Sequence, residues 1–172
     1  IASKSNLAEC TIDNGATSQE LYFLSKVYEQ VPDKRYEKAF LAGLNFLLAA
    51  QYENGGWPQF YPIKKNYSSH ITYNDDAMIN VMNLLEDIRD SSPKVSIESS
   101  EELIHKIRLS LNKGFDCILK TQYKQNGVLT SWCAQHDEFT FAPANARSFE
   151  LASLSGGESA KIVLLLMNIK NP

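Results

Sequence analysis

Apolar residues return at helical spacing in five stretches of the chain. Leu21, Leu24, Val27 and Tyr28 form the first, and Tyr36, Phe40, Leu44, Leu47 and Leu48 the second. Met78, Val81, Met82, Leu85 and Ile88 share one face of a third. The longest runs through Leu103, Ile107, Leu111, Phe115, Ile118 and Leu119, and a fifth holds Ile162, Leu165, Leu166 and Ile169. Cap signals precede four of them. Thr17 with Glu20, Ser99 with Glu102 and Ser155 with Glu158 read as capping boxes, and Asn74 reads as an N-cap. Only residues 130–133 and 139–141 read as short strands. The expected class is therefore all-α.

Between the second and third patterns the periodicity stops over residues 51–77, QYENGGWPQFYPIKKNYSSHITYNDDA. Connections between packed helices usually run two to eight residues. A stretch this long, with two aromatic clusters, a histidine and adjacent aspartates, has the character of a functional loop. It also belongs to a repeat. The second helix ends at Gly43 through Gln51-Tyr52, followed by Asn54-Gly55 and Trp57. The fourth ends at Gly114 through Gln122-Tyr123, followed by Asn126-Gly127 and Trp132. Gly43 to Gly114 and Gln51 to Gln122 share an offset of 71 positions. Each unit reads as helix, Gln-Tyr, Asn-Gly turn, Trp-bearing loop and outgoing helix. Hairpins of this kind stack into a ring, an α/α toroid, or into an open solenoid, with equivalent loops gathered at one end. Ile12-Asp13-Asn14-Gly15-Ala16 fits the opening of an earlier outgoing helix.

Composition narrows the function. The chain has 172 residues, 44% of them apolar and 22% charged, enough for one folded domain over 1–172. A net charge of −3 disfavours a general nucleic-acid binder but leaves room for an anionic substrate held by a metal or a local cation. No apolar run reaches the roughly 18 residues of a membrane span. No signal peptide opens the chain. Cys10, Cys117 and Cys133 are too scattered for a disulfide framework or a zinc site and read as buried or half-buried thiols.

The candidate chemistry gathers in the two loops. Asn74, Asp75 and Asp76 open a helix, where one carboxylate is explained by the helix dipole and the rest of the cluster is not. Gln135-His136-Asp137-Glu138 occupies a comparable place after the second turn. Aspartate and asparagine oxygens without a Cys/His quartet suit a hard cation such as calcium. Trp57, Phe60, Tyr61, Tyr67 and Tyr73 supply either a platform for sugar rings or the loop's own core. Arg147 can grip a carboxylate through a bidentate fork, or pair with Glu150 one turn on.

Asn54-Gly-Gly-Trp-Pro-Gln-Phe-Tyr-Pro62 and His70-Ile-Thr-Tyr-Asn-Asp-Asp-Ala-Met78 resemble segments of the polysaccharide lyase family 10 pectate lyases. So do Ile12-Asp-Asn-Gly-Ala-Thr17, Trp132-Cys-Ala-Gln-His-Asp137 and Pro143-Ala-Asn-Ala-Arg-Ser-Phe-Glu-Leu-Ala-Ser-Leu-Ser155, all in the family's order. The resemblance implies an incomplete α/α toroid with a central cleft that cleaves polygalacturonate by calcium-dependent β-elimination. It implies Asp75 or Asp76, together with Asp137, as calcium- and substrate-binding carboxylates. Trp57, Tyr61, His70, Asn74, His136 and Arg147 become substrate-binding residues. The family's base is an arginine, expected beyond Pro172, with Arg147 the weaker candidate within the chain. Localisation follows the substrate, the extracellular plant cell wall. Two alternatives stand beside it: a non-catalytic pectate-binding remnant, and an inverting glycosidase using Asp76 and Asp137 as acid and base.

Overall fold

A computed structural model describes residues 10–169. Five helices carry it: α1 (Ala16–Gln30), α2 (Lys34–Ala50), α3 (Ala77–Arg89), α4 (Glu101–Thr121) and α5 (Gly156–Met167). α1 packs on α2 and α3 on α4 as two hairpins. α1 and α5 flank α3 in one layer, and α2 and α4 contact each other in the layer behind. α3 lies at the centre, with Met78, Ile79, Val81, Met82, Leu84 and Leu85 all buried. Phe40, Leu44 and Leu47 of α2 and Ile107, Leu111 and Ile118 of α4 close the core against it. The repeated glycines mark the points of closest packing within each hairpin. A Cβ at Gly43 would stand 2.6 Å from the Leu21 side chain, and one at Gly114 3.0 Å from that of Met82.

The five helices fall where the apolar spacing predicts them, but the class is helix-rich with strand pairs rather than purely helical. Four two-residue antiparallel pairs tie the loops together. They are β1 (Cys10–Thr11) with β2 (Phe60–Tyr61), β3 (Ile71–Thr72) with β7 (Gln135–His136), β4 (Lys124–Gln125) with β5 (Val128–Leu129), and β6 (Trp132–Cys133) with β8 (Leu154–Ser155). Of the two expected strands, 130–133 survives as β6, whereas 139–141 forms a turn and the segment after it. Most of these pairs join segments far apart in sequence, which local propensity does not encode.

Three of the four predicted N-caps also differ. Thr17 donates its hydroxyl to Thr11 O at 2.7 Å instead of capping α1. Ser100, not Ser99, caps α4 by accepting from Leu103 N at 3.3 Å. α3 is entered through a turn in which Asn74 caps nothing with its side chain. Ser155 does precede α5, and its hydroxyl donates to the Glu158 carboxylate. Among the described residues no helix is long and apolar enough to cross a membrane. The three cysteines are free. Cys117 and Cys133 are buried as expected, whereas Cys10 is exposed.

Candidate functional site

The N-termini of α1, α3 and α5 come together at one end of the front layer. α1 and α3 begin through the same unusual turn. In Asp13–Gly15, Asn14 (φ 50°, ψ 26°) and Gly15 (φ 69°, ψ 15°) are left-handed. In Asn74–Asp76, Asp75 (φ 53°, ψ 31°) and Asp76 (φ 57°, ψ 20°) repeat that geometry. Ile12 through Ala16 thus matches Tyr73 through Ala77 in backbone, and the two turns lie against each other. A left-handed residue with a Cβ costs about 1–2 kcal/mol, and two in succession need external support.

That support comes from the second loop. β3 pairs with β7 in the register Ile71 to His136 and Thr72 to Gln135. Just past it, Ala134 O accepts from both Tyr73 N (2.8 Å) and Asn74 N (2.9 Å). The Tyr73 hydroxyl donates to Thr121 Oγ1 at 2.7 Å, because Thr121 itself donates to its own helix. The two loops predicted to be equivalent therefore meet and fix the Asn74–Asp76 turn between them.

The carboxylates of this face differ in their surroundings. Asp75 is exposed and Asp76 half-buried. Burial raises the Asp76 carboxyl above its ordinary range. Lys161 of α5 opposes that rise, while Glu158 and Asp75 add to it. Asp13, which sequence reasoning did not single out, has a buried Oδ1 without a hydrogen-bond partner. Its signal was the match between the two turns, which places it on the packed counterpart of Asn74–Asp76.

Asp137 groups instead with His70 and Glu138. The three can each offer one ligand atom within 4.8 Å of one another. His70 Nδ1 lies 2.9 Å from Glu138 Oε2, bridging first and second loops. Burial pushes the Glu138 carboxyl up, but its own backbone N–H, His70 and Ser69 outweigh that, and the net shift is downward. Asp137 Oδ1 accepts from Thr140 N, Thr140 Oγ1 and Phe139 N, and the Thr140 bonds hold its carboxyl below the usual range.

Two residues expected to touch substrate are buried and hydrogen-bonded to backbone. Trp57 is completely buried, and its indole donates to Leu47 O at 2.8 Å. His136 is also completely buried. Its Nε2 accepts from Cys133 N (3.2 Å), so its Nδ1 carries the proton donated to Phe141 O (2.9 Å). Burial depresses its pKa, and the ring stays neutral against the edge of Tyr73. Tyr61 is half-exposed, in β2, with its ring edge-on to Phe46.

Arg147 is exposed beside this face. Its Nε donates to Glu150 Oε2 at 2.8 Å and its other arm to Oε1, a bidentate pair that raises its pKa, with Tyr67 and Asp75 adding to the rise. A groove of about 420 Å³ runs from Asn74 and Gln135 to Phe149, Glu150 and Leu151.

Comparison with known proteins gives this geometry a family. The sequence profile described as pectic acid lyase matches residues 2–172. The fold is similar to that of a family 10 polysaccharide lyase from Cellvibrio cellulosa, with a TM-score of 0.91 and 41% identity over 96% of this chain and 51% of that one. A mutant of a family 10 polysaccharide lyase from the same organism, in complex with trigalacturonic acid, matches with a TM-score of 0.91 at 40% identity, over 96% of this chain and 52% of that one. The chain thus spans about half the length of these solved relatives. A search of curated proteins gave no match. With its motifs, its backbone and its profile in agreement, the chain belongs to the pectic acid lyase family.

Proposed function

We propose that this chain carries the calcium-binding part of a pectate lyase cleft, built on an arc of an α/α toroid, and acts on polygalacturonate by β-elimination. The observation that carries the reading is the pair of matched left-handed turns at the helix N-termini. Together they bring Asp13, Asp75 and Asp76 to one end of the front layer. Calcium takes six to eight hard oxygen ligands. The donors are of the right kind, three carboxylates of which one has a buried and unpartnered oxygen, although among the described residues the ligand atoms that lie within 4.8 Å of one another are those of His70, Asp137 and Glu138. We assign Asp75 and Asp76, with Asp13, as its holders. The His70, Asp137 and Glu138 group contains a nitrogen ligand and is already tied by internal hydrogen bonds, so Asp137 serves better as the residue that shapes its loop.

When bound, calcium would draw charge from the uronate carboxylate and so acidify the proton at C5. The chain's own part is positioning. Asn74 and Asp75 would set where the carboxylate enters, Asp75 from its left-handed backbone position. Among the described residues Arg147 is the arginine at this end. Arg35 is held by Asp33, Arg89 by Glu86 and Asp90 at the far end of α3, and Arg108 of α4 lines a pocket at that same far end with Ile88 and Arg89. Paired with Glu150 and near Asp75, Arg147 is held protonated, the state that grips a carboxylate. It could take the C5 proton only in its neutral form, which Glu150 and Asp75 disfavour while they are charged and near. The elimination then breaks the C4–O bond and leaves an unsaturated uronate. Extracellular location follows from the polymer.

The test is ultraviolet absorbance of unsaturated uronate during incubation with polygalacturonate, with and without chelator. Calcium-dependent growth of that absorbance is expected; its absence from a protein as long as the solved relatives overturns the lyase reading. Binding of trigalacturonate without product would favour the non-catalytic reading, which the Arg147–Glu150 pair supports.

A further inference from the structure

The groove beside the Asn74 turn has a buried amide at its base. Gln135 is only 4% exposed, and its Oε1 has no hydrogen-bond partner. Thr72, opposite it in register on β3 and 1% exposed, has an unpartnered hydroxyl as well. Buried polar groups left unpaired oppose folding, and a native structure that holds two side by side needs a reason for them. Gln135 lines the groove next to Asn74. Its terminal amide turns about a broad torsion and offers both a donor and an acceptor. The same groove is lined by Phe149 and Leu151, which are 75% and 72% exposed, and the Arg147 guanidinium stands 5.3 Å from the Phe149 ring centroid. A groove lined by both a buried amide and an exposed aromatic ring suits a ligand with hydroxyls on its edge and C–H bonds on its face. The volume of about 420 Å³ lies in the range of small-ligand clefts.

We infer that this groove is a sugar subsite adjoining the cation turn, in which the Gln135 amide hydrogen-bonds a ring hydroxyl and Phe149 covers the ring's apolar face. The inference rests on the polygalacturonate reading and adds to it a specificity-determining residue. Sugar contact supplies the partner that Gln135 lacks in the free protein. Gln135 is therefore a residue whose polarity weakens the fold and serves the ligand.

The experiment is calorimetric titration of trigalacturonate, with calcium present, into the wild-type chain, Gln135→Met and Phe149→Ala, with a melting curve and a calcium titration for each. Methionine fills the same space without an unpaired acceptor. Gln135→Met is expected to melt at or above the wild-type temperature, to bind calcium within twofold of wild type, and to bind trigalacturonate about tenfold more weakly. Phe149→Ala, changed at an exposed position, is expected to keep its melting temperature and lose about fivefold in trigalacturonate affinity. Unchanged affinity in both variants overturns the subsite while leaving the lyase reading intact. Affinity lost in Gln135→Met only in step with melting temperature, with Phe149→Ala binding as wild type, also overturns it. No binding by the wild-type chain removes the polygalacturonate reading and the subsite together.

Discussion

The two Trp-bearing units share their punctuation and differ in what surrounds it. In both, an indole N–H donates to the carbonyl four residues before the helix-ending glutamine: Trp57 to Leu47 O, Trp132 to Ile118 O. Both glutamines turn back onto loop carbonyls, Gln51 onto Gly55 O and Gln122 onto Thr130 O. The first turn is wedged into the molecule. A Cβ on Gly55 would sit 1.9 Å from Lys113 O, and Asn54 donates to Glu138 O across the loops. The second turn is a free-standing hairpin tip. Asn126 (φ 51°) and Gly127 (φ 86°) link β4 to β5 with open space around Gly127. One sequence signal thus serves two ends: a turn packed against α4 and the second loop, and a solvent-exposed reversal.

The strongest way to break this comparison is to place the same side chain in both turns. Gly55→Ala drives a Cβ into backbone at positive φ and is expected to cost more than about 3 kcal/mol in urea unfolding. Gly127→Ala meets only left-handed strain and should cost about 1 kcal/mol. Equal costs would refute the distinction. Next in size, Trp57→Phe strands the buried Leu47 carbonyl and is expected to lose about 1–3 kcal/mol, with Trp132→Phe similar if the repeat is energetic as well as geometric.

A smaller effect sharpens the likeness between the two entry turns. Gly15 occupies the position that Asp76 fills in the second turn. Asp76→Gly should relieve left-handed strain and stabilise the chain by about 1 kcal/mol while weakening calcium binding, a trade read from melting and titration on the same sample. The pH dependence of stability should carry the mark of His136. Its folded pKa lies below the ordinary 6.5 because burial disfavours the cation. The unfolded chain therefore takes up the proton first. Stability is full above about pH 6.5 and falls as pH drops through that value towards the folded pKa. The difference in melting temperature between about pH 8 and about pH 5 should shrink in His136→Gln. Smallest of all, Glu150→Gln removes an exposed ion pair and should leave the melting temperature unchanged.

Helix positions and the repeat could be read from the chain because both rest on local spacing and short motifs. The entries to α1 and α3 could not, since a cap rule presumes an extended residue before the helix, and here paired left-handed residues precede it. The loop aromatics show the same limit at the site. Trp57 reads as platform or core until its hydrogen bond to Leu47 is known. His136 likewise reads as a substrate-binding residue until its two nitrogens are found bonded to Cys133 and Phe141. Asp13 was missed because it is separated in sequence from the acidic cluster it joins only through packing of the two turns.

The account's central claim is that the matched turns hold a cation through which uronate binds. Titration of trigalacturonate into the wild-type chain and into Asp75→Asn, each with and without calcium, tests it most directly. Binding by the wild-type chain that requires calcium, and that falls at least about tenfold in Asp75→Asn, is the predicted result. Equal binding with and without calcium in both proteins would contradict it.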